Sequence, residues 1–452
     1  MTTSTINRFI RLFRAAFDEL VVPVAMADVE VLATLVHHSM DEGRRRYHRS
    51  GHVFDLCRGM GPRQVLAALF HDTVYFQLDG GLPRRAAPLL EPLLDIDAAS
   101  VSLRASALDD AAVAMVAKLF GVVPGRKLAL AAGMNEFLSA LVAVKALEAH
   151  LPPRDLLAIA AAIEATIPFR SPVERDSDLF DSLPARLVEA GLSRDVALTS
   201  SQVDEVMREA VALANRDVGS FGEADPGRFL ATTWLLIEES NAPLAAVGMY
   251  SVQDYRRALV RMEGFLCGLA PENVFHRYSG TPADAEFEVL QSAARRNIGF
   301  ACEYLGVKIL GIGIVEAIAL ATGADCPVSM LLGDIRSPEG EPEQVDDFLP
   351  ESSPAMSVDL ELLRVLEEGR AWESQADLNT SPLSAFVYMG LGAERSRIAL
   401  EGARHLFEGS LSPREFLASL DPTVVMPVIA ACARIADSRR EALLALGNSL
   451  GW

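Results

Sequence analysis

Apolar residues recur along this chain with the period of an α-helix. Between positions 7 and 20, Phe9, Ile10, Phe13, Phe17 and Leu20 fall three and four apart, with Arg8, Arg11, Arg14 and Asp18 between them. Residues 1–42 predict two helices. Apolar runs around 52–58 and 63–76 predict two more, and 109–120 another. A long helix over 134–150 ends before Pro152-Pro153, and the next, over 155–167, is stopped by Pro168. Ser200 is placed to cap a helix reaching Asn215. Helical spacing returns over 228–241 and 252–268. A long apolar stretch over 286–322 is expected to break near Gly311 and Gly313. The end of the chain predicts helices over 359–372, 382–408, 412–420 and 423–446. No strand series and no repeat of fixed period stands out. The expected class is all-α.

Breaks in this pattern suggest the domain organisation, and the length of 452 residues allows about two or three domains. Residues 1–240 are expected to form one helical domain. Within it, 170–200 is polar, carries Pro172 and Pro184, and reads as an insertion or lid. Residues 241–335 continue as helices packed on it, with a polar stretch over 271–285. The run Ser337-Pro338-Glu339-Gly340-Glu341-Pro342-Glu343 marks 336–358 as an acidic, proline-rich linker, and 359–452 as a C-terminal helical segment.

Composition narrows the function classes. There are 61 acidic residues against 41 basic ones, a formal charge of −20. That disfavours general nucleic-acid binding, which needs a basic surface to displace counterions. A small anionic substrate stays compatible, because a bound metal inverts the local field. The five cysteines, Cys57, Cys267, Cys302, Cys326 and Cys432, form no CxxC pair, so a reduced, intracellular chain without disulfides is expected, with a cytoplasmic location. No secretory signal is apparent. The apolar stretch over 305–321 carries Lys308 and Glu316 and reads as a buried helix, with no membrane span.

The candidate chemistry lies near the N-terminus. Of eight histidines, His37, His38, His48, His52 and His71 crowd into one short stretch, while His150, His276 and His405 are isolated. His48 and His52 are four apart and share a face if both are helical. His71-Asp72 follows the apolar run Val65-Leu66-Ala67-Ala68-Leu69-Phe70. A carboxylate buried there needs a partner, and a divalent cation supplies one.

These residues carry a resemblance. Arg46-Tyr47-His48-Arg49-Ser50-Gly51-His52-Val53, then Leu66-Ala67-Ala68-Leu69-Phe70-His71-Asp72-Thr73-Val74-Tyr75, then Asn135-Glu136-Phe137-Leu138-Ser139-Ala140 together resemble the HD superfamily. The nearest likeness is to its small predicted metal-dependent phosphohydrolases. The resemblance covers roughly residues 35–235 and implies an HD-type helical bundle. Carried over, it implies His52, His71, Asp72 and, from a later helix, Asp217 as metal ligands. Glu136 would orient or deprotonate water, with Asp72 as the second catalytic residue. His48, Arg49 and Arg170 would bind substrate. Glu136 reads equally well as an acidic residue near a helix N-terminus. No histidine follows Ala165-Thr166-Ile167-Pro168, where relatives carry one.

Two imidazoles and two carboxylates suit one divalent ion, Mn, Fe, Co, Ni, Zn or Mg, with open positions for water and a phosphoryl oxygen. The expected activity is hydrolysis of a phosphate ester of a small molecule, a nucleotide among the candidates. The alternative is a non-catalytic protein that senses a metal or ligand through the same domain. The C-terminal helices are the expected surface for self-assembly or for a protein partner. Arg44-Arg45-Arg46 reads as a solvated run or, alternatively, as a source of one phosphate-binding arginine.

Overall fold

The computed structural model describes residues 3–41, 45–97, 100–169, 182–334, 342–351 and 357–450. The protein is all-α, as the sequence pattern predicts; among the described residues the only sheet is one two-stranded hairpin. The chain divides into two compact units. The first comprises 1–222 and 270–294, and the second 223–269 and 295–452.

The first unit holds α1 (Thr5–Glu19), α2 (Met26–Asp41), α3 (Ser50–Leu56), α4 (Pro62–Phe70), α5 (Phe76–Asp79) and α6 (Ala87–Leu90). The hairpin of β1 (Leu94–Ile96) and β2 (Val101–Leu103) follows. Then come α7 (Ala111–Phe120), α8 (Met134–Leu147), α9 (Pro153–Ala165), α10 (Leu183–Gly191) and α11 (Ser200–Asp217). The amphipathic start behaves as its spacing predicts, with Phe9, Phe13 and Phe17 buried on one stripe of α1. At the centre lies α9, which packs against α4, α7, α8, α10 and α11. It is buried nearly all round, and its alanines at 158, 160, 161, 162 and 165 let these neighbours approach. Gly133 opens α8 at φ +82°, and a Cβ there would collide with the Ile167 side chain. Glycine satisfies both the conformation and the close approach.

The second unit holds α12 (Pro226–Ser240) and α13 (Val252–Cys267), then α14 (Asp284–Thr322), whose first turns belong with the first unit. It continues with α15 (Ser329–Leu332), α16 (Leu360–Glu368), α17 (Pro382–Phe407), α18 (Pro413–Ser419), α19 (Pro422–Ile435) and α20 (Arg440–Ser449).

Several expectations change. Gly311 and Gly313 do not break α14, which runs unbroken for 39 residues. They instead make room for neighbours, since added Cβ atoms would lie 2.8 Å from Ser384 Oγ and 3.1 Å from Phe407 Cζ. The cap of α11 is Thr199, whose hydroxyl accepts from the Gln202 amide, not Ser200. The helix expected over 423–446 is two, α19 and α20. Cys267 and Cys302 form a disulfide, against the expectation of none, joining the end of α13 to α14. Cys57, Cys326 and Cys432 are free and buried. Of the polar 170–200 segment, 170–181 lies outside the described residues. The remainder contains α10, whose Leu183, Leu187 and Ala190 are buried in the core. The expected linker over 336–358 lies partly outside the described residues too.

α14 is long and apolar enough to cross a membrane, and 83% of its most apolar window is buried within the protein. Its two charged residues in that stretch are paired. Glu316 receives Arg256 at 2.9 Å, and Lys308 donates to Asp377 at 2.9 Å. Asp377 Oδ2 also accepts from Trp234 Nε1 and Tyr255 OH, each at 2.8 Å, and Arg370 stands 3.4 Å away. Burial alone would raise the Asp377 pKa, but Lys308 and Arg370 outweigh it and hold the carboxyl below its ordinary range.

Asp377 therefore contributes fully above pH of about 4, the unfolded value, and its contribution is lost as pH falls through the lower folded value. Asp377→Asn leaves Lys308 and Arg370 facing a neutral amide and is expected to cost about 3–5 kcal/mol at pH 7. Urea denaturation between pH 3 and 7 checks this. The variant should be less stable at neutral pH, with a shallower loss in acid than the parent.

Candidate metal centre

Three elements deliver the candidate ligands. α3 begins at Ser50, so His52 sits in its first turn. α4 ends at Phe70, earlier than its apolar run suggests; His71 is its C-cap and Asp72 lies in the turn beyond. Asp217 is the last residue of α11. α4 is pinned to α11 by a two-pronged pair. Arg63 Nε and Nη2 donate to the two Glu209 oxygens at 3.0 and 2.7 Å, and Gln64 Nε2 donates to the Glu209 carbonyl at 2.9 Å. Glu209 lies about two turns before Asp217, so this pairing sets how the two helix ends meet.

The structure brings His52, His71, Asp72 and Asp217 together. His52 Nε2 lies 2.9 Å from Asp217 Oδ1 and 4.0 Å from Asp72 Oδ2. His71 Nε2 lies 2.9 Å from Asp72 Oδ2 and 3.5 Å from Asp217 Oδ1. Ligand atoms of His52, His71 and Asp72 all fall within 4.8 Å of one another. All four side chains are largely withdrawn from water, with His71 2% exposed.

The donor set fits a divalent ion on three counts. Metal–ligand bonds of about 2.1 Å at right angles place neighbouring donors about 3.0 Å apart, and opposite donors about 4.2 Å apart. The observed separations lie close to that window. Second, His71 Nδ1 sits 2.9 Å from the Ala68 carbonyl, which only accepts, so Nδ1 carries the proton and Nε2 faces the carboxylates. Third, His71 Nε2 and Asp72 Oδ2 are buried yet form no well-angled hydrogen bond. Such atoms are rare in a folded interior and call for a further partner.

The electrostatics match a compact charge cluster. Burial opposes a charged His71 ring, but Asp72 and Asp217 outweigh it and hold its pKa well above the ordinary histidine value. Burial would raise Asp72, yet His71, His48 and His52 bring it far below the usual carboxylate range. Asp217, raised by burial and lowered more by the adjacent His52 and His71 rings, comes down to about 2.

The remaining predicted residues are placed as follows. His48 precedes α3 in a bend instead of sharing its helical face. Its ring centre is 6.1 Å from that of His52 and 4.5 Å from that of Tyr75, and it is half-buried. Arg49 is exposed, with Nε donating to the Arg46 carbonyl at 2.8 Å. Glu136 is half-buried in the first turn of α8. Arg170 lies outside the described residues, as does Arg44. The solvated reading of the basic run fails at Arg45, which is 2% exposed.

Other contributors escaped the sequence reading. Tyr47 packs its ring 4.7 Å from that of His52 and directs its hydroxyl toward the Asp217 carbonyl at 3.4 Å. In the segment quoted for Glu136, Asn135 and Ser139 grip the loop after Asp72. Ser139 Oγ accepts the Val74 amide at 3.0 Å, and Asn135 Oδ1 accepts the Phe76 amide at 3.0 Å. Both are polar side chains on the buried face of α8 at a spacing of four, the signal that would have found them.

None of the family models, curated proteins or solved structures compared with the chain matches it.

The grip of α8 on the loop is testable. Ser139→Ala leaves the buried Val74 amide without its acceptor and is expected to cost about 1–3 kcal/mol. An unchanged denaturation midpoint would show that the hydroxyl does not hold the loop.

Proposed function

We propose that the first unit is a metal-dependent phosphohydrolase of the HD type, acting on a phosphate ester of a small molecule, with His52, His71, Asp72 and Asp217 holding one divalent ion. The observation that carries this reading is the buried, mutually close set of two imidazoles and two carboxylates, with His71 Nε2 and Asp72 Oδ2 still wanting a partner. The residue segments that resemble the HD superfamily supply the reaction class. The chemistry a divalent ion contributes in such a set is a water made nucleophilic near neutral pH and a polarised phosphoryl oxygen.

The protein's own groups take the remaining roles. The Ala68 carbonyl fixes the His71 tautomer, and the Tyr47 ring packs against His52. His48, half-exposed beside His52 and Tyr75, is assigned to contact the phosphate and to hold a proton for the leaving oxygen. The exposed Arg49 guanidinium adds positive charge toward an anionic substrate in an otherwise acidic protein. Glu136 is assigned to accept the proton of the attacking water. A nucleotide is one substrate that meets these requirements.

Metal analysis of the purified protein, followed by hydrolysis of p-nitrophenyl phosphate and bis(p-nitrophenyl) phosphate with added Mn²⁺, tests the reading. Turnover should vanish with EDTA and in Asp72→Ala, and Glu136→Gln should lower kcat by about 10²–10⁴-fold. Protein that stays folded, takes up no metal and is inert, with Asp72→Ala neutral, would sink it. Stoichiometric metal without turnover would move the assignment to a metal-sensing protein.

A further inference from the structure

Arg45 is the most deeply buried charge beside the candidate metal centre, and its three nitrogens all have partners. Nε and Nη2 fork onto Asp79 Oδ1 and Oδ2 at 3.0 and 2.6 Å. Nη1 donates to the backbone carbonyl of Asp72 at 2.6 Å. Asp79 Oδ2 in turn accepts the Tyr75 amide at 3.1 Å. One guanidinium thus ties the peptide that follows Asp72 to the end of α5, the short helix that succeeds the loop. The Asp72 residue is held from both sides, because the preceding His71 amide donates back into α4, to the Ala67 carbonyl at 2.9 Å. With the residue before it and its own carbonyl both held, the Asp72 backbone is fixed at the point from which the carboxylate projects.

We infer that Arg45 is a positioning residue for metal uptake, setting the stance of the Asp72 carboxylate without touching ion or substrate. The inference rests on the proposed metal site. It also removes Arg45 as a phosphate ligand, since each of its nitrogens is already engaged within the protein and it is 2% exposed. Lysine is no substitute: an ammonium is a point charge and cannot span the Asp79 fork and the Asp72 carbonyl together.

Co²⁺ is the probe, titrated into the full-length protein and followed by its visible absorption and by equilibrium dialysis. Arg45→Met, Arg45→Lys and Asp79→Asn should each raise the Co²⁺ Kd about 10–100-fold and alter the visible band. Leu187→Ala, a core truncation in α10, controls for destabilisation alone and should keep the parent's Kd and spectrum. If Arg45→Met fails to fold, Asp79→Asn decides, because it loosens the fork while leaving the arginine in place. Parent-like Kd and band in both Arg45→Lys and Asp79→Asn would overturn the positioning role while leaving the metal site standing. A parent protein that takes up no Co²⁺ would instead overturn the metal reading, and this inference with it.

Discussion

Two carboxylates, Asp72 and Asp217, lie largely withdrawn from water in the first unit, and an unpaired charge there would be prohibitively costly. Much of the unit's architecture answers that constraint. His52 and His71 stand between the two carboxylates. Ala68 holds the His71 ring from behind, and Tyr47 packs on His52. Arg63 and Gln64 clamp α4 to α11 so that the helix ends carrying His71 and Asp217 meet. A cluster of this kind adds little net stability over a well-packed apolar one. Its cost is the physical reason to look for a function at this place and not elsewhere on the first unit.

Helix positions were legible because the apolar period is strong; Phe9, Phe13 and Phe17 place α1 unaided. Helix interruptions were not. A glycine in sequence reads the same whether it ends a helix or admits a neighbour, and Gly311 and Gly313 do the second. Thr199 and Ser200 are adjacent capping candidates, and only backbone geometry separates them. Arg45 looked solvated because it sits in a run of three arginines, while its partners Asp72 and Asp79 lie 27 and 34 residues away. The Cys267–Cys302 bond, across 35 residues, had no local motif to announce it. The nearness of Asp217 to His52 could not be read from periodicity; it was expected only from the family resemblance.

The second unit poses the same electrostatic problem with a different solution. Lys308, Arg370 and Asp377 are drawn into its interior among Trp234, Tyr255 and Tyr304, and each charge is met by an opposite charge or an aromatic face. Here the positive charge comes from lysine and arginine in place of histidine. Among the described residues no histidine takes part in that network.

The loop that follows α4 carries one more consequence. Between His71 and Phe76, the chain is fastened at the His71 ring, the Asp72 carbonyl, and the Val74, Tyr75 and Phe76 amides. Nearly every residue is tied to a different anchor, and those anchors lie on α4, α5, α8 and the segment before α3. The loop therefore has a fixed length. Adding or deleting one residue would put every fastening out of step at once, so change in this part of the chain is confined to substitution. Insertions have to be absorbed by turns without such ties.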